Sequence, residues 1–361
     1  MPKASNQATA ITIGGTSIRP GERKNVDIPL AAMYTHTEVG LTVHVLHGKK
    51  PGPTLLLTAA IHGDEINGVE IIRRTLAARG FSQLRGTLLA IPVVNVHGFL
   101  SQSRYLPDGR DLNRSFPGST RGSLASRVAN TLMQDILCHA DYCIDLHSGA
   151  RHRTNLPQIR ADLSQDTARE LALQFGVPVV LDARLRDGSL RQCAADRHIP
   201  MLLYEAGEAL RFDELSIRAG TRGVFNILRA LKMLPPHKAR AKASKVTAIA
   251  DDSRWVRAPS SGVMRTMVRL GAKVKKGTVL GYIYDPTGFA ETPVLAPAAA
   301  IVIGLSNLPL VHEAEAIFHL ANYSKKIQQV ADRVLDFHDT YTPNEEDQEE
   351  PFFIGDDELD L

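Results

Sequence analysis

The sequence predicts an α/β fold: a mixed, mostly parallel sheet with helices on both faces, followed by a small C-terminal all-β domain. Between residues 54 and 234, continuous apolar runs alternate with segments whose apolar residues recur at helical spacing. This alternation favours a parallel sheet, because each strand then connects to the next through a helix on one face. Beyond residue 247 the pattern changes to short β runs separated by glycine turns.

The individual elements follow from this alternation. The run TLLLTAAI at 54–61 is apolar throughout, which is typical of a strand covered on both faces. The segment 166–176 has helical spacing and ends at Gly176, a residue type favoured just after a helix. The remaining predicted strands lie at 41–48, 86–96, 141–149, VPVVLD and IPMLLYEAG, and the remaining predicted helices at 68–79, 124–140 and 214–234, with a polar loop at about 98–122.

These elements divide the chain into four parts. Residues 1–40 are expected to form β segments that pack on an α/β domain at 41–236, and residues 247–322 are expected to form a β-barrel-like domain. The basic, proline-started segment 235–245 predicts a linker between them. Residues 340–361 form an acidic tail, which its composition predicts to be disordered; a tail that folds over the body or contacts a partner is the alternative.

Composition and charge narrow the classes of partner. The chain has 361 residues, 43% of them hydrophobic and 22% charged, and no run is long enough to span a bilayer, so we expect no membrane partner. The N-terminus lacks an apolar leader and the three cysteines are odd in number, which together predict a cytoplasmic location. The body is basic, but it has no basic motif interleaved with aromatics, so a small acidic substrate fits better than nucleic acid. The chain could also form a homo-oligomer, which the sequence does not decide.

Histidine and glutamate residues follow three of the predicted strands. His62 comes after TLLLTAAI, with Glu65 three residues later, His147 comes after CIDL, and Glu205 after MLLY. Ligands of open α/β sheets bind outside the carboxyl ends of the strands. We therefore expect these four side chains to meet at one edge of the sheet.

The chemistry of this group is that of a metal site. Two imidazoles and one carboxylate, from His62, His147 and Glu65, would hold one Zn²⁺ per chain with an open fourth position. Water bound there has a pKa lowered to about 7, and Glu205 would act as its general base. The alternatives are structural: an isolated H-x-x-E is weak, Asp64 or Glu65 could favour a helix N-terminus, and Glu205 could cap a turn.

The loop at 98–118 contains the segment SQSRYLPDGRDLNRSFPG, which is rich in arginine. A guanidinium group can bind a carboxylate through two hydrogen bonds or stabilise the oxyanion of a tetrahedral intermediate. An exposed charged loop is the alternative interpretation.

Four motifs in this order, HGDE, RDLNRSFPG, DLHSG and YEAGE, resemble the succinylglutamate desuccinylase and aspartoacylase family of zinc-dependent deacylases, relatives of the metallocarboxypeptidases. The resemblance covers about residues 40–322. It implies a carboxypeptidase-like catalytic domain with His62, Glu65 and His147 as zinc ligands and Glu205 as the general base.

The same resemblance implies substrate-binding residues. Asn113 and Arg114 of DLNR would bind the substrate carboxylate, and Arg104 would polarise the scissile carbonyl. Arg153 and Asn155, in the segment HRTNLPQIR, would line the pocket. The Gly-Arg before DLNR and the RTNLP segment depart from the aspartoacylase pattern, so the acyl group and the amino acid stay open.

The C-terminal segment GVMRTMVRLGAKVKKGTVLGYI resembles a lipoyl or biotinyl barrel. A carrier domain of that type needs a lysine at a hairpin tip, but no lysine occurs between Lys276 and Lys325. We therefore expect a non-carrier domain that shapes the pocket entrance or an oligomer interface. His97 also follows a strand, but the three ligands already assigned leave it without a role.

The resulting hypothesis is zinc-dependent hydrolysis of the amide bond of a small N-acyl amino acid. Two alternatives stay open. One is a metallocarboxypeptidase that acts on peptide C-termini with the same ligands. The other is a non-enzymatic metabolite-binding protein built on the same scaffold.

Overall fold

The computed structural model describes residues 8–32, 34–236, 248–288, 290–324 and 326–342. The predicted linker and acidic tail lie mostly outside these residues. The strands are β1 Ile11–Ile13, β2 Thr16–Ile18, β3 Arg23–Ala32, β4 Glu38–His47, β5 Lys50–Ala59, β6 Arg85–Ile91, β7 Tyr142–Gly149, β8 Arg153–Ala161, β9 Val179–Asp182, β10 Met201–Glu208, β11 Ala248–Ile249, β12 Asp252–Arg257, β13 Gly262–Thr266, β14 Lys273–Val274, β15 Val279–Tyr284, β16 Glu291–Leu295, β17 Ala300–Ser306, β18 Leu310–Val311 and β19 Ala316–Asn322.

The helices are fewer and lie mostly between the strands of the first two thirds of the chain. They are α1 Asn67–Ala77, α2 Val96–Leu100, α3 Leu124–Thr131, α4 Asp166–Phe175, α5 Leu190–Asp196, α6 Glu214–Ala230 and α7 Ile327–Tyr341. The predicted helix 124–140 is regular only to Thr131, after which a π turn at Leu132–Ile136 and a 3₁₀ turn at Leu137–His139 follow.

A 13-stranded mixed sheet runs through the described part of the molecule, in the main order β12-β19-β17-β8-β10-β7-β5-β6-β4-β3. Its centre, β10-β7-β5-β6, is parallel. The strands outside this centre along the main order pair in antiparallel fashion. The prediction of a mixed α/β fold is therefore confirmed, but the prediction of a mostly parallel sheet is wrong. Among the described residues, seven strand pairs of this sheet are antiparallel and five are parallel, mainly because the β segments before residue 48 and after residue 247 add antiparallel strands to its edges.

Helices cover both faces of this sheet. One apolar cluster joins the central strands to α1, α4 and α6 and includes Ile71, Phe175 and Phe225. A second cluster, on the other face, joins them to α3 and α5 and includes Val128 and Leu190. Burial of these residues stabilises the sheet and fixes the strands that carry the site. Among the described residues, no helix is long and apolar enough to cross a membrane.

The described residues from 248 to 322 form only strands, as predicted, but these strands are not detached from the α/β part. β17 pairs with β8, so β17, β19 and β12 extend the main sheet. Four other strands, β16-β15-β13-β18, form a sheet of their own. The C-terminal part is thus all-β and joined edge to edge with the strands that carry the site, while its lipoyl-like topology stays a prediction.

Candidate functional site

His62, Glu65 and His147 meet beyond β5, before α1 and within β7. The Nδ1 atom of His62 lies 2.6 Å from Oε1 of Glu65, and the Nδ1 atom of His147 lies 2.7 Å from Oε2. All three side chains are buried. Their ligand atoms lie within 4.8 Å of one another, so the predicted convergence of these residues is present in the fold.

The HGDE turn is built by close backbone packing. The Glu65 amide donates to the His62 carbonyl and closes the turn. A Cβ on Gly63 would lie 2.0 Å from the carbonyl carbon of Gly98, so only glycine fits there. The N-cap residue of α1, Ile66, makes no side-chain capping bond. Glu65 thus serves as partner of the two histidines rather than as a helix cap.

Two aspartates hold the outer nitrogens of the histidines. Nε2 of His147 lies 2.6 Å from Oδ2 of Asp145, whose Oδ1 accepts from the Thr58 hydroxyl. Nε2 of His62 lies 3.2 Å from Oδ1 of Asp111. In metal sites the outer imidazole N–H typically donates to a carboxylate, which fixes the tautomer and orients the other nitrogen to the metal. Both histidines therefore have the environment of metal ligands.

The histidines and carboxylates at the triad shift one another's pKa values. Burial alone would raise the pKa of Glu65, but the charges of His62 and His147 outweigh it and hold that pKa far below its usual range. Burial would lower the pKa of both histidines, but nearby carboxylates outweigh it and raise them. The site therefore favours a carboxylate surrounded by positive charge, which is what a bound cation would also supply.

Two imidazole nitrogens and one carboxylate form a donor set that suits zinc. His62, Glu65 and His147 could hold a metal ion. The buried setting and the outer aspartates fit this chemistry, because they exclude competing water and fix the ring orientations.

Arg104 borders the triad on one side. Its guanidinium donates to Oδ2 of Asp111 at 2.9 Å and lies 3.4 Å from Oε1 of Glu65. Burial would lower the pKa of Arg104, but the charges of Glu65 and Asp111 outweigh it and raise that pKa. A cation is thus held beside the candidate metal ligands.

Glu205 borders the triad on the other side. In the parallel pair of β7 and β10 it is the direct neighbour of His147. The Asn155 amide donates to its Oε1 at 2.7 Å, and the Arg160 guanidinium lies 3.0 Å from its Oε2. Both carboxylate oxygens are therefore held in one orientation beside the triad.

The other predicted substrate residues lie further out. The Oδ1 atom of Asn113 accepts from the Leu190 amide at the start of α5, Arg114 is exposed, and Arg153 lies over the ring of Trp255. No hydrogen bond or ion pair described for these side chains joins them to the triad. His97 lies on α2, outside the triad.

Sequence reasoning missed the roles of Asp145, Asp111 and Arg160. Asp145 precedes His147 by two residues on a strand, so the two side chains share a face, and this spacing could have indicated the contact. Asp111 and Arg160 reach the site from a loop and from a strand that the pattern did not predict, so no local spacing indicates their contacts.

A family model described as "Succinylglutamate desuccinylase/Aspartoacylase catalytic domain" matches residues 51–231. The chain belongs to this family. A relative, the N-alpha-acetyl-L-2,4-diaminobutyric acid deacetylase of Halomonas elongata, is 27% identical over 252 residues, which cover 67% of this chain and 74% of that protein. The family model and the relative's name identify a deacylase family of hydrolases.

Solved structures of other proteins share the fold. The product-bound ectoine utilization protein EutE (DoeB) of Ruegeria pomeroyi superposes with a TM-score of 0.76 at 23% identity, covering 89% of this chain and 100% of that one. A succinylglutamate desuccinylase/aspartoacylase of Rhodobacter sphaeroides gives a TM-score of 0.75 at 24% identity, covering 88% and 99%. The high coverage shows that the shared fold extends into the C-terminal β strands.

Proposed function

We propose that this family member is a zinc-dependent deacylase that hydrolyses the amide bond of a small N-acyl amino acid. The observation that carries the proposal is the buried triad of His62, Glu65 and His147 with an oriented carboxylate, Glu205, on the neighbouring strand. Family membership supports the reaction class, and the named substrate of the Halomonas elongata relative is itself an N-acetyl amino acid.

The site residues would divide the reaction between them. Zn²⁺ held by His62, Glu65 and His147 would polarise the carbonyl and make a water more acidic. Glu205 would take a proton from the attacking water as the C–O bond forms, and return it to the amine nitrogen as the C–N bond breaks. Its contacts with Asn155 and Arg160 would keep the carboxylate aimed during both transfers.

Arg104 would stabilise the negative charge that develops on the carbonyl oxygen, because its guanidinium lies next to the triad. Asn113 and Arg114 would anchor the substrate carboxylate at the rim. Arg153 and Asn155 would line the side of the pocket formed by β8. A positive rim of this kind fits a substrate that carries a negative charge.

We also assign residues 41–236 to the catalytic domain and 247–322 to a domain that narrows the approach to it. The pairing of β17 with β8 supports this division of labour, because it brings C-terminal strands next to the strand that carries Asn155. A narrowed approach favours small N-acyl amino acids over long peptides.

The test is a panel of N-acyl amino acids and short peptides given to the zinc-loaded full chain, with amine release as the readout. We expect hydrolysis of N-acyl amino acids and little or none of peptides. Glu205→Gln should retain zinc but lower kcat by about 10²- to 10⁴-fold, because it removes the base and not a ligand. His147→Ala should lose both zinc and activity.

Glu170→Gln, an exposed change on α4, is the matched control and should behave as the unmodified chain. Full activity in Glu205→Gln would refute the proposed mechanism. Faster hydrolysis of peptides than of N-acyl amino acids would favour a carboxypeptidase. A chain that binds no zinc and hydrolyses nothing would favour a metabolite-binding protein.

A further inference from the structure

A group of buried polar atoms lies beside Glu205 on the side away from the triad. Gln158 of β8 is 0% exposed, and neither its Nε2 nor its Oε1 has a hydrogen-bond partner among the described residues. Three further buried atoms also have no hydrogen-bond partner among the described residues: Oδ1 of Asn155, Nε of Arg160 and Nδ1 of His319. Proteins pair the great majority of their buried polar atoms. Several unpaired atoms on neighbouring strands therefore indicate a place that a polar ligand completes.

The position of Gln158 relates this group to the reaction centre. Gln158 pairs with Glu205 across β8 and β10, and Glu205 pairs with His147 across β10 and β7. Neighbouring strands lie about 4.8 Å apart, so the three residues form a row about 10 Å long. A substrate with its scissile bond beside His147 and Glu205 would reach Gln158 with a side chain of three or four bonds.

A bulge in β8 brings Asn155 into the same group. The pairing between β8 and β10 shifts between Glu205 and Gly207, so Asn155 pairs with Gly207 and its amide still reaches Glu205. Bulges of this kind often re-aim a side chain next to an active site. Arg160 lies further along β8, on the other side of Gln158. Asn155 and Arg160 therefore flank Gln158 along the strand, and both contact the Glu205 carboxylate.

The C-terminal strands complete the group from the other edge. Gly304 of β17 pairs with Asn155 of β8 and with His319 of β19. A Cβ on Gly304 would lie 2.8 Å from Oδ1 of Asn155, so the glycine makes room for this amide oxygen. His319 stacks on Trp255 and contacts Ser253 through Nε2, which leaves Nδ1 as its unpaired nitrogen.

We propose that Asn155, Gln158, Arg160 and His319 form a subsite that binds a neutral polar group, of the primary carboxamide type, on the side chain of the N-acyl amino acid. This inference rests on the proposed function and adds the chemical class of the side chain. The unpaired atoms include donors, on Gln158 and Arg160, and acceptors, on Gln158 and Asn155. A carboxamide both donates and accepts, so it can pair with both kinds.

The charges in the group favour a neutral ligand over an anion. The charge of Arg160 is already compensated by Glu205. Burial, together with the nearby charge of Arg160, lowers the pKa of His319 to about 3, so its ring is neutral at pH 7. An apolar side chain would leave the polar atoms unpaired, which disfavours it as well.

Three N-acetyl amino acids of similar side-chain length test this subsite: N-acetyl-L-glutamine, N-acetyl-L-glutamate and N-acetyl-L-methionine. With the zinc-loaded full chain we expect kcat/KM for the glutamine compound to exceed that for the methionine compound at least about tenfold. Gln158→Met should reduce this ratio to within about twofold, mainly through loss of the glutamine reaction.

Thermal unfolding of the ligand-free protein separates a binding role from a structural one. Methionine has nearly the shape of glutamine and removes two unpaired polar atoms, so the unfolding midpoint of Gln158→Met should stay unchanged or rise. Gln174→Met, an exposed change on α4, is the control and should leave both the midpoint and the substrate ratio unchanged.

A lower midpoint together with an equal loss for all three compounds would assign Gln158 a structural role and overturn the subsite. A preference for the glutamate compound would show that the subsite takes an anion and would overturn the carboxamide proposal. If the unmodified chain hydrolyses none of the three, the wider panel of N-acyl amino acids decides the deacylase proposal, and the rise in unfolding midpoint that each compound causes tests the subsite by itself. An equal rise for all three would overturn it; a larger rise with the glutamine compound that Gln158→Met removes would support it.

Discussion

The two sides of the candidate site differ in how completely their polar atoms are paired. On the side of β5 and β7, both ring nitrogens of His62 and His147 and both oxygens of Glu65 have partners at hydrogen-bond distance. On the side of β8, Gln158 has no partner among the described residues for either polar atom. A fully paired group is rigid before a ligand arrives, whereas an unpaired group gains its partners only when one binds. The first side suits chemistry that is the same for every substrate, and the second suits discrimination between substrates.

The largest effect should follow from a change at the turn that builds the paired side. Gly63→Ala would place a Cβ 2.0 Å from the backbone of Gly98, so the turn carrying His62 and Glu65 must move. We expect a loss of about 3 kcal/mol or more in the free energy of unfolding, together with loss of zinc binding. Urea unfolding and metal analysis measure both. A stable variant with full zinc occupancy would show that the turn is not held rigidly.

Asp145→Asn should weaken the paired side without moving its backbone. The change replaces the carboxylate that holds Nε2 of His147 by an amide. Changes to such outer partners typically lower metal affinity by about 10- to 100-fold. Competition with a chelator measures the affinity, and Asp166→Asn, an exposed change on α4, is the control. An unchanged affinity would mean that Asp145 does not orient the ligand.

The smallest effect concerns the unpaired side and its response to acid. The folded pKa of His319 lies at about 3, below its unfolded value of about 6.5. The unfolded chain therefore binds a proton first as the pH falls below about 6.5, and the folded state loses stability from there towards pH 3. This residue should lower the free energy of unfolding by about 1 kcal/mol at pH 5.5 relative to pH 8.

His319→Gln should remove that part of the acid sensitivity, as measured by urea unfolding at both pH values. His139→Gln, an exposed change, is the control and should leave the pH dependence as it is. An identical pH dependence in His319→Gln would contradict a buried neutral ring.

The same contrast explains what could be predicted from the sequence. The sequence alone could predict the triad of His62, Glu65 and His147. Each of these residues follows or lies in a strongly apolar strand, and the carboxyl ends of parallel strands meet at one edge of a sheet. The sequence pattern did not predict the strand β8, because the polar residues that face Glu205 interrupt its apolar pattern. Polar residues that belong to a site thus make the strand that carries them difficult to predict from its apolar pattern.

Long-range pairing was the second limit. Glycine turns and short β runs predicted an all-β C-terminal part, but nothing local shows that β17 pairs with β8. The end of the regular helix at Thr131 could not be predicted either, because the helical spacing of apolar residues continues through the π turn that follows. The contact of Asp111 with His62 also depends on two segments that are distant in the sequence.

The pairing of β17 with β8 also bears on how such a protein can be divided. Residues 153–155 of β8 use their outer backbone groups to bind β17. A chain cut after residue 236 would leave these groups bare, together with apolar residues such as Leu156 that pack against the C-terminal strands. An uncovered edge of this kind recruits other chains and promotes aggregation. The two parts of the molecule therefore should not be separated in engineering, and a change of specificity is best sought by point substitution along their shared edge rather than by exchange of whole modules.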